Sequence, residues 1–190
     1  MPNQRVRHTL SHDQEKWDQR YRDKPMQAPA PSEFIREILP QLKHGTLLDI
    51  ASGDGSTSLF LAQQGFKVTA ADISATALQR QTQFASALGV EIETLCCDLN
   101  TAEPLATDTP YDCITLTRYR PSQALITQII SWLKPEATLA ISAFTAGINP
   151  RFCLRPGELK NTHPKLELVY YRNRKSNGSA LDEYLFRRRT

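Results

Sequence analysis

Thr46-Leu47-Leu48-Asp49-Ile50-Ala51-Ser52-Gly53-Asp54-Gly55 runs as a branched apolar strand into a turn that contains two glycines. Leu47, Leu48 and Ile50 form the near-continuous hydrophobic run expected of a parallel strand buried on both faces. Asp49 interrupts that run near the strand's C-terminal end, where open α/β sheets place their ligands. Gly53 and Gly55 lack a Cβ, which lets the chain turn sharply and a ligand approach closely. Ser56 and Thr57 then read as caps of a helix with Leu59, Phe60 and Leu61 as its apolar content and Gly65 as its stop. The next segment, Phe66 to Ser74, is a second strand ending in Asp72. Seventeen positions separate Asp72 from Gly55, room for one helix and a return strand, and about the distance at which a ribose-binding acid follows such a turn.

LLDIASGDG and VTAADIS resemble the first two motifs of the class I S-adenosylmethionine-dependent methyltransferases, commonly LDLACGTG and VTAVDIS. Within that family the chain is most similar to the small tellurite-resistance-type and thiopurine-type members. It shares with them an early WDxRY, here Trp17-Asp18-Gln19-Arg20-Tyr21, and a late RPGEL, here Arg155 to Leu159. The resemblance implies S-adenosyl-L-methionine as cofactor. It places Asp49, Ala51, Ser52, Gly53, Gly55, Asp72 and Ile73 around that molecule, with Asp98 accepting from the adenine amino group and Leu99 packing on the ring. It also folds residues 1–31, a helix and connector, over the cofactor pocket, so that Trp17, Arg20 and Tyr21 line it. Two positions depart from the pattern: Ala51 stands where the first glycine is usual and Ser52 where cysteine is frequent.

The remaining chain supplies a complete fold of this kind. Residues 11–21 read as a short helix capped by Ser11, and the proline-rich stretch from Pro25 to Pro31 as an extended connector. Ser32 caps a helix from Glu33 to about Leu42, with Phe34, Ile35, Ile38 and Leu39 as its stripe. A helix over Ala75 to Leu88 closes at Gly89, and strands follow at Glu91 to Cys96 and Tyr111 to Thr117. A helix over Ala124 to Leu133 leads through a Lys134-Pro135 turn to a fifth strand, Thr138 to Phe144. Leu166 to Tyr171 and Leu181 to Arg187 are two strands joined through Ser176-Asn177-Gly178-Ser179, a hairpin signal. The expectation is an α/β three-layer, Rossmann-like sandwich with a mainly parallel seven-stranded sheet and a C-terminal antiparallel hairpin, all within residues 1–190 as one domain.

Composition narrows the function. A net charge of +3, with 40% hydrophobic and 23% charged residues, suits a soluble globular protein and gives no basic stripe for nucleic acid. Arg187-Arg188-Arg189 reads as a solvated terminus. No apolar run reaches membrane-spanning length and the first residues carry no secretory signal, so a cytoplasmic protein is expected, monomeric or weakly dimeric. Cys96, Cys97, Cys113 and Cys153 form no CxxC and read as buried reduced thiols. His8 and His12 have i, i+4 spacing without the glutamate of a zinc motif, and no metal is expected.

The acceptor side is marked by Arg118-Tyr119-Arg120-Pro121 after the fourth strand. Neither an Asn-Pro-Pro-Tyr-like tetrad nor a Pro-Cys nucleophile is present there. A tyrosine flanked by arginines suits an anionic or aromatic small substrate. The long loop from Thr145 to Pro156 adds Arg151, Phe152 and Arg155, which the resemblance puts beside the acceptor. Methyl transfer from a sulfonium is an in-line displacement, so positioning is the main task, and a thiolate or chalcogen oxyanion acceptor needs no general base. For a neutral amine or hydroxyl the base candidates are Tyr119 and His163, both weak. Two other readings stand beside this one. One is a catalytically inactive protein that keeps the pocket for binding; the other is a nicotinamide-dependent oxidoreductase, disfavoured because Ser58 replaces the third glycine of GxGxxG.

Overall fold

A computed structural model describes residues 12–99, 110–176 and 178–190. Helices α1 (His12–Arg22) and α2 (Glu33–Ile38) precede β1 (Thr46–Ile50), α3 (Ser56–Gln63), β2 (Lys67–Asp72) and α4 (Ala75–Leu88). They are followed by β3 (Ile92–Cys96), β4 (Tyr111–Thr117), α5 (Gln123–Trp132), β5 (Leu133–Ala146), β6 (Leu166–Ser176) and β7 (Ser179–Arg188). All seven strands join one sheet in the order β3-β2-β1-β4-β5-β7-β6. β3, β2, β1, β4 and β5 run parallel, while β7 pairs antiparallel with both β5 and β6. The strand order therefore reverses between β1 and β4. That switch point leaves a crevice at the strands' C-terminal ends.

The core explains the pattern read from β1. Leu47 faces the cluster of Phe34, Ile35, Ile38 and Leu61 beneath α2 and α3. Leu48 and Ile50 face the opposite cluster, built on Leu125, Ile126, Ile129 and Ile130 of α5. Removing a leucine or isoleucine of this kind from water stabilises the fold by about 1.5–3 kcal/mol. α4 lies on the α3 side, where Phe84 and Ala85 pack with Leu59. On that same side, buried Glu183 of β7 pairs with Arg172 at 3.0 Å and Arg174 at 2.8 Å, and both arginines reach Glu37 of α2. This is the expected three-layer arrangement.

Several boundaries differ from the sequence reading, each for a local reason. α2 stops at Ile38 and tightens into a 3₁₀ turn over Leu39–Gln41, because Pro40 cannot continue an α-helix. The N-cap of α3 is Gly55 in a left-handed conformation, with Ser56 already inside the helix. Lys134-Pro135 does not separate α5 from β5. Tyr111 pairs with Leu133 and Cys113 with Thr138, so the intervening residues form a wide bulge in β5, with Glu136 at φ 61. The hairpin register Ser176↔Ser179 leaves two residues in its loop, as the Asn-Gly signal requires, although Asn177 itself lies outside the described residues. So do Ser11, His8 and most of the loop from Asn100 to Pro110. Of the four cysteines only Cys113 is buried; Cys96 is exposed and Cys97 and Cys153 are half-buried. All four are free thiols. Burial pushes Cys113 up to about 12 and Cys97 up to about 11.

Candidate active site

The crevice is built first from the turn after β1. Ala51 takes φ 54 and Gly53 φ 56, so two of the three residues leaving the strand are left-handed. Gly53 has no room for a side chain: a Cβ there would collide with the Tyr21 hydroxyl. At Gly55, φ 96, a Cβ would stand 2.7 Å from Gln81 Cγ. Asp49 is fully buried behind this turn. Its carboxylate accepts from Ser58 Oγ at 2.5 Å and Thr115 Oγ1 at 2.7 Å, tying β1 to α3 and β4. Burial raises its pKa to about 6 against the two hydroxyl bonds, which pull it down. Asp49 thus ties the start of the turn to α3 and β4 from within the core.

Asp72, at the end of β2, holds the same turn from the side. Its Oδ2 accepts from the Gly53 amide at 2.8 Å and its Oδ1 from the Ser74 amide at 2.8 Å. Burial raises its pKa, opposed by these amide bonds. Ser74 separately caps α4, its Oγ accepting from the Ala77 amide at 3.0 Å. Ser52 donates its amide to Ala71 at 3.1 Å, but its hydroxyl is buried with no hydrogen-bond partner among the described residues. A carboxylate at the strand end, an orphaned hydroxyl and a turn with glycine at 53 and 55 fit a nucleoside that brings vicinal hydroxyls and polar groups of its own. Ile73 is half-buried and its carbonyl accepts from Cys96 Sγ at 3.5 Å. Asp98 is half-buried. Leu99 is turned into the core with Ala71 and Leu116.

The N-terminal helix packs against the glycine turn and the start of α4, and the residue that docks it was not singled out in the sequence. Asp18 of α1 accepts from Ser74 Oγ at 2.6 Å and from the Thr76 amide at 3.0 Å. Burial opposes its ionisation, but these bonds and the charge of Arg22 together hold its pKa below the usual carboxylate range. The cue was present, as the acid of WDxRY, but its partners lie 56 and 58 positions away. Tyr21 is thereby laid over Gly53, and burial, with the charges of Asp72 and Asp54, raises its pKa. Lys24 binds Asp54 at 2.6 Å and fastens the connector to the glycine turn. Trp17 and Tyr21 stand 6.4 Å apart, and the Arg20 guanidinium lies 5.2 Å over the Trp17 ring.

The acceptor side forms around the end of β4. Arg118 is held at φ 59 with its amide on Ser142 at 2.7 Å. A left-handed arginine is a strained backbone position of the kind that collects at functional sites. Tyr119 is half-buried. Burial, then the charges of Asp98 and Asp72, raise its pKa, which places its hydroxyl in the field of both crevice acids and keeps it protonated at neutral pH. Arg120 reaches Glu158 at 3.8 Å and the Arg151 carbonyl at 3.4 Å, so the first arginine loop and the late loop meet. Arg151, Phe152 and Arg155 are all exposed. Phe152 is met from above by Lys16 of α1, at 5.9 Å from the ring. In RPGEL, the Gly157 amide donates to buried Asp182 at 2.6 Å, anchoring the loop to β7. His163 is not brought to the crevice. Its Nδ1 accepts from the Lys165 amide at 3.2 Å, in the turn that leads into β6.

Residues 47–136 match the family model of a methyltransferase domain, a little under half of the chain. Among curated proteins none matches the sequence. Solved structures resemble it along most of its length. A protein from work on converting a disulfide bond into a thioacetal group during echinomycin biosynthesis shares 18% identity at a TM-score of 0.75, over 94% of this chain and 93% of that one. TehB from Haemophilus influenzae shares 18% at 0.71, over 93% and 67%. The magnesium protoporphyrin IX methyltransferase ChlM from Synechocystis PCC 6803, solved with bound S-adenosylmethionine, shares 16% at 0.64, over 93% and 79%. At such identities the likeness speaks for the fold. The chain thus has a seven-stranded, Rossmann-like sheet of the methyltransferase kind, and residues 47–136 of it match a methyltransferase domain.

Proposed function

We propose that the protein methylates a small, negatively charged acceptor, a thiolate or a chalcogen oxyanion, in the manner of the tellurite-resistance-type and thiopurine-type enzymes its motifs resemble. The observation that carries this reading is the composition of the acceptor rim. Among the described residues, Lys16 lies over Phe152, Arg120 reaches Glu158 and the Arg151 carbonyl, and Arg118 and Arg155 are exposed on the same two loops, a cationic excess over the carboxylate of Glu158. Such a rim raises the local concentration of anions and orients them. Tyr119, held protonated, donates a hydrogen bond and does not abstract a proton. An acceptor that arrives ionised needs no base.

In this reading Asp72 holds the ribose hydroxyls, Ser52 and the Gly53–Gly55 turn meet the polar groups beside them, and Asp98 takes the adenine amino group. When bound, S-adenosyl-L-methionine supplies the sulfonium methyl. The protein's own part is to set the acceptor in line with it and exclude water. α1 serves both ends, through Tyr21 on the cofactor turn and Lys16 over Phe152 on the acceptor loop. The protein acts on a small molecule in the cytoplasm, as a monomer or weak homodimer.

The test is transfer of labelled methyl from S-adenosylmethionine to aromatic and aliphatic thiols, selenite and tellurite, with neutral amines and alcohols as comparison. Turnover confined to the ionised acceptors, with KM raised about tenfold in Arg120→Ala, supports the reading. Turnover of amines alone, or of none, contradicts it.

A further inference from the structure

β7 carries two consecutive buried acids that take opposite faces of the sheet. Glu183, 3% exposed, lies on the α2 side in its pairs with Arg172 and Arg174. Asp182, 0% exposed, turns to the α5 side, where the four donors that meet it are neutral. Its Oδ1 accepts from Asn173 Nδ2 at 2.8 Å and from the Tyr171 hydroxyl at 3.2 Å. Its Oδ2 accepts from the Tyr184 hydroxyl at 2.5 Å and from the Gly157 amide at 2.6 Å. Burial, then Asp182 itself, raise the pKa of both phenols, which therefore act as donors. A carboxylate sealed from water is costly unless hydrogen-bonded, and bonds to a charged acceptor are shorter and stronger than neutral ones. Four of them fix Asp182 in one place.

The register puts Asp182 at the end of the sheet where the crevice lies. It stands opposite Ala143 of β5 and Asn173 of β6, beside the points where the acceptor loop leaves β5 and returns. On the outgoing side, Asn173 Nδ2 also reaches Thr145 Oγ1 at 3.3 Å. On the return, the Leu154 amide donates to the Phe144 carbonyl at 2.8 Å and the Leu154 side chain enters the core. Gly157 then lands on Asp182. Between these stems the chain bonds to itself, with Asn149 Oδ1 capping the Arg151 amide at 3.0 Å and the Cys153 amide on the Pro150 carbonyl at 3.1 Å. The stems therefore set where Arg151 and Phe152 stand. The anchor also reaches the other acceptor loop. Glu158, next to Gly157, accepts from the Arg155 amide at 2.7 Å with one oxygen and pairs with Arg120 at 3.8 Å with the other.

We propose that Asp182 is a positioning residue for the methyl acceptor. It acts through Gly157 and the Asn173 to Thr145 link, which hold the loop of residues 145–157, and through Glu158, which carries that hold to Arg120. The inference rests on the reading of this rim as the acceptor side. None of the four donors belongs to the glycine turn that Asp72 organises. Loosening the anchor therefore weakens binding of the acceptor and leaves binding of the adenosyl compound as it is. A merely structural role has a different signature, because loss of folded protein lowers kcat and leaves KM where it was.

The experiment measures methyl transfer from S-adenosylmethionine to thiophenol by the full chain and by Asp182→Asn and Asn173→Ala, together with hydrogen exchange of all three. Asp182→Asn keeps the shape of the anchor and replaces one accepting oxygen by a donor. Asn173 is half-buried, and its truncation removes one donor to Asp182 and the link to Thr145, so the second variant tests the proposal if the first does not fold. Expected is a KM for thiophenol raised about tenfold in Asp182→Asn and about threefold in Asn173→Ala, with kcat changed less than about twofold. The KM for S-adenosylmethionine stays the same, and exchange quickens over residues 145–158 while β1 and β4 stay protected. An unchanged KM for thiophenol, a lowered kcat alone, or wild-type exchange over residues 145–158 overturns the proposal. If the wild type methylates no ionised acceptor, the failure belongs to the function proposed above. Exchange over residues 145–158 then decides the anchor by itself, faster exchange supporting it and unchanged exchange overturning it.

Discussion

The carboxylate of Asp72 accepts the backbone amide of Gly53 at 2.8 Å, joining the ends of the first two strands across nineteen positions of sequence. The same carboxylate accepts the Ser74 amide. One acid therefore fixes both the glycine turn and the start of α4, the two backbone segments that border the cofactor crevice.

Asp72→Ala leaves those two amides without their acceptor. An unpaired buried donor costs about 1–3 kcal/mol, and partial access to water at the crevice moderates the sum. Chemical denaturation should show a loss of about 2 kcal/mol. A loss below about 0.5 kcal/mol means that the amides find other partners and that Asp72 does not organise the turn.

Asp49 gives stability a pH dependence of definite sign. Burial raises its carboxyl from 3.8 in the open chain to about 6 in the fold, so the native state binds the proton more tightly. Its contribution is present in full below 3.8, is lost as pH rises through that window, and is gone above about 6. The difference is about 3 kcal/mol. Asp49→Asn removes this group's titration. The stability of the variant relative to wild type should rise by that amount between pH 3.5 and pH 7, as read from denaturation midpoints across the range. A constant difference contradicts the assignment.

Ala51 sits at φ 54, where an L side chain is strained by about 1–2 kcal/mol. Ala51→Gly relieves that strain and adds about 0.4–1 kcal/mol of unfolded-state entropy. The balance favours the variant, by up to about 1 kcal/mol. A melting temperature raised by a few degrees is the expected result, and a lowered one shows that the alanine methyl packs usefully.

Asp18 docks α1 onto the start of α4. Asp18→Ala removes the acceptor of Ser74 Oγ and the Thr76 amide, a loss comparable to that of a helix cap, about 1–2 kcal/mol. Hydrogen exchange should quicken across residues 12–22 while β1 and β4 stay protected. Unchanged exchange in α1 means that Tyr21, Lys24 and the connector hold it without Asp18.

The sheet was legible because its signals are local. Buried strands carry branched runs, as in Leu47 to Ile50, and Gly89 closes α4 in a left-handed cap as read. The features that escaped are those set by partners distant in sequence. Asp18 looks like any acid on a short helix until Ser74 and Thr76 are placed beside it. The bonds that Asp49 accepts from Ser58 and Thr115 depend on α3 and β4 being laid against β1. Arg80 was not singled out, because the connector carbonyls it holds, those of Lys24 and Pro25, lie 56 and 55 positions away. On the acceptor side the charges of Arg118 to Arg155 were legible but not their arrangement, because a loop's course depends on anchors such as Gly157 on Asp182. Local breakers also shifted boundaries by a few residues, as Pro40 did in α2.

The central claim is that the crevice at the ends of β1 and β2 holds an adenosyl sulfur compound through Asp72. Calorimetric titration with S-adenosylhomocysteine, with NADH as a control, tests it most directly. The account predicts one site of about micromolar affinity, weakened at least tenfold by Asp72→Ala in protein that remains folded, and no heat from NADH. Absence of binding by the wild type, or equal binding of the two nucleosides unaffected by the substitution, would contradict it.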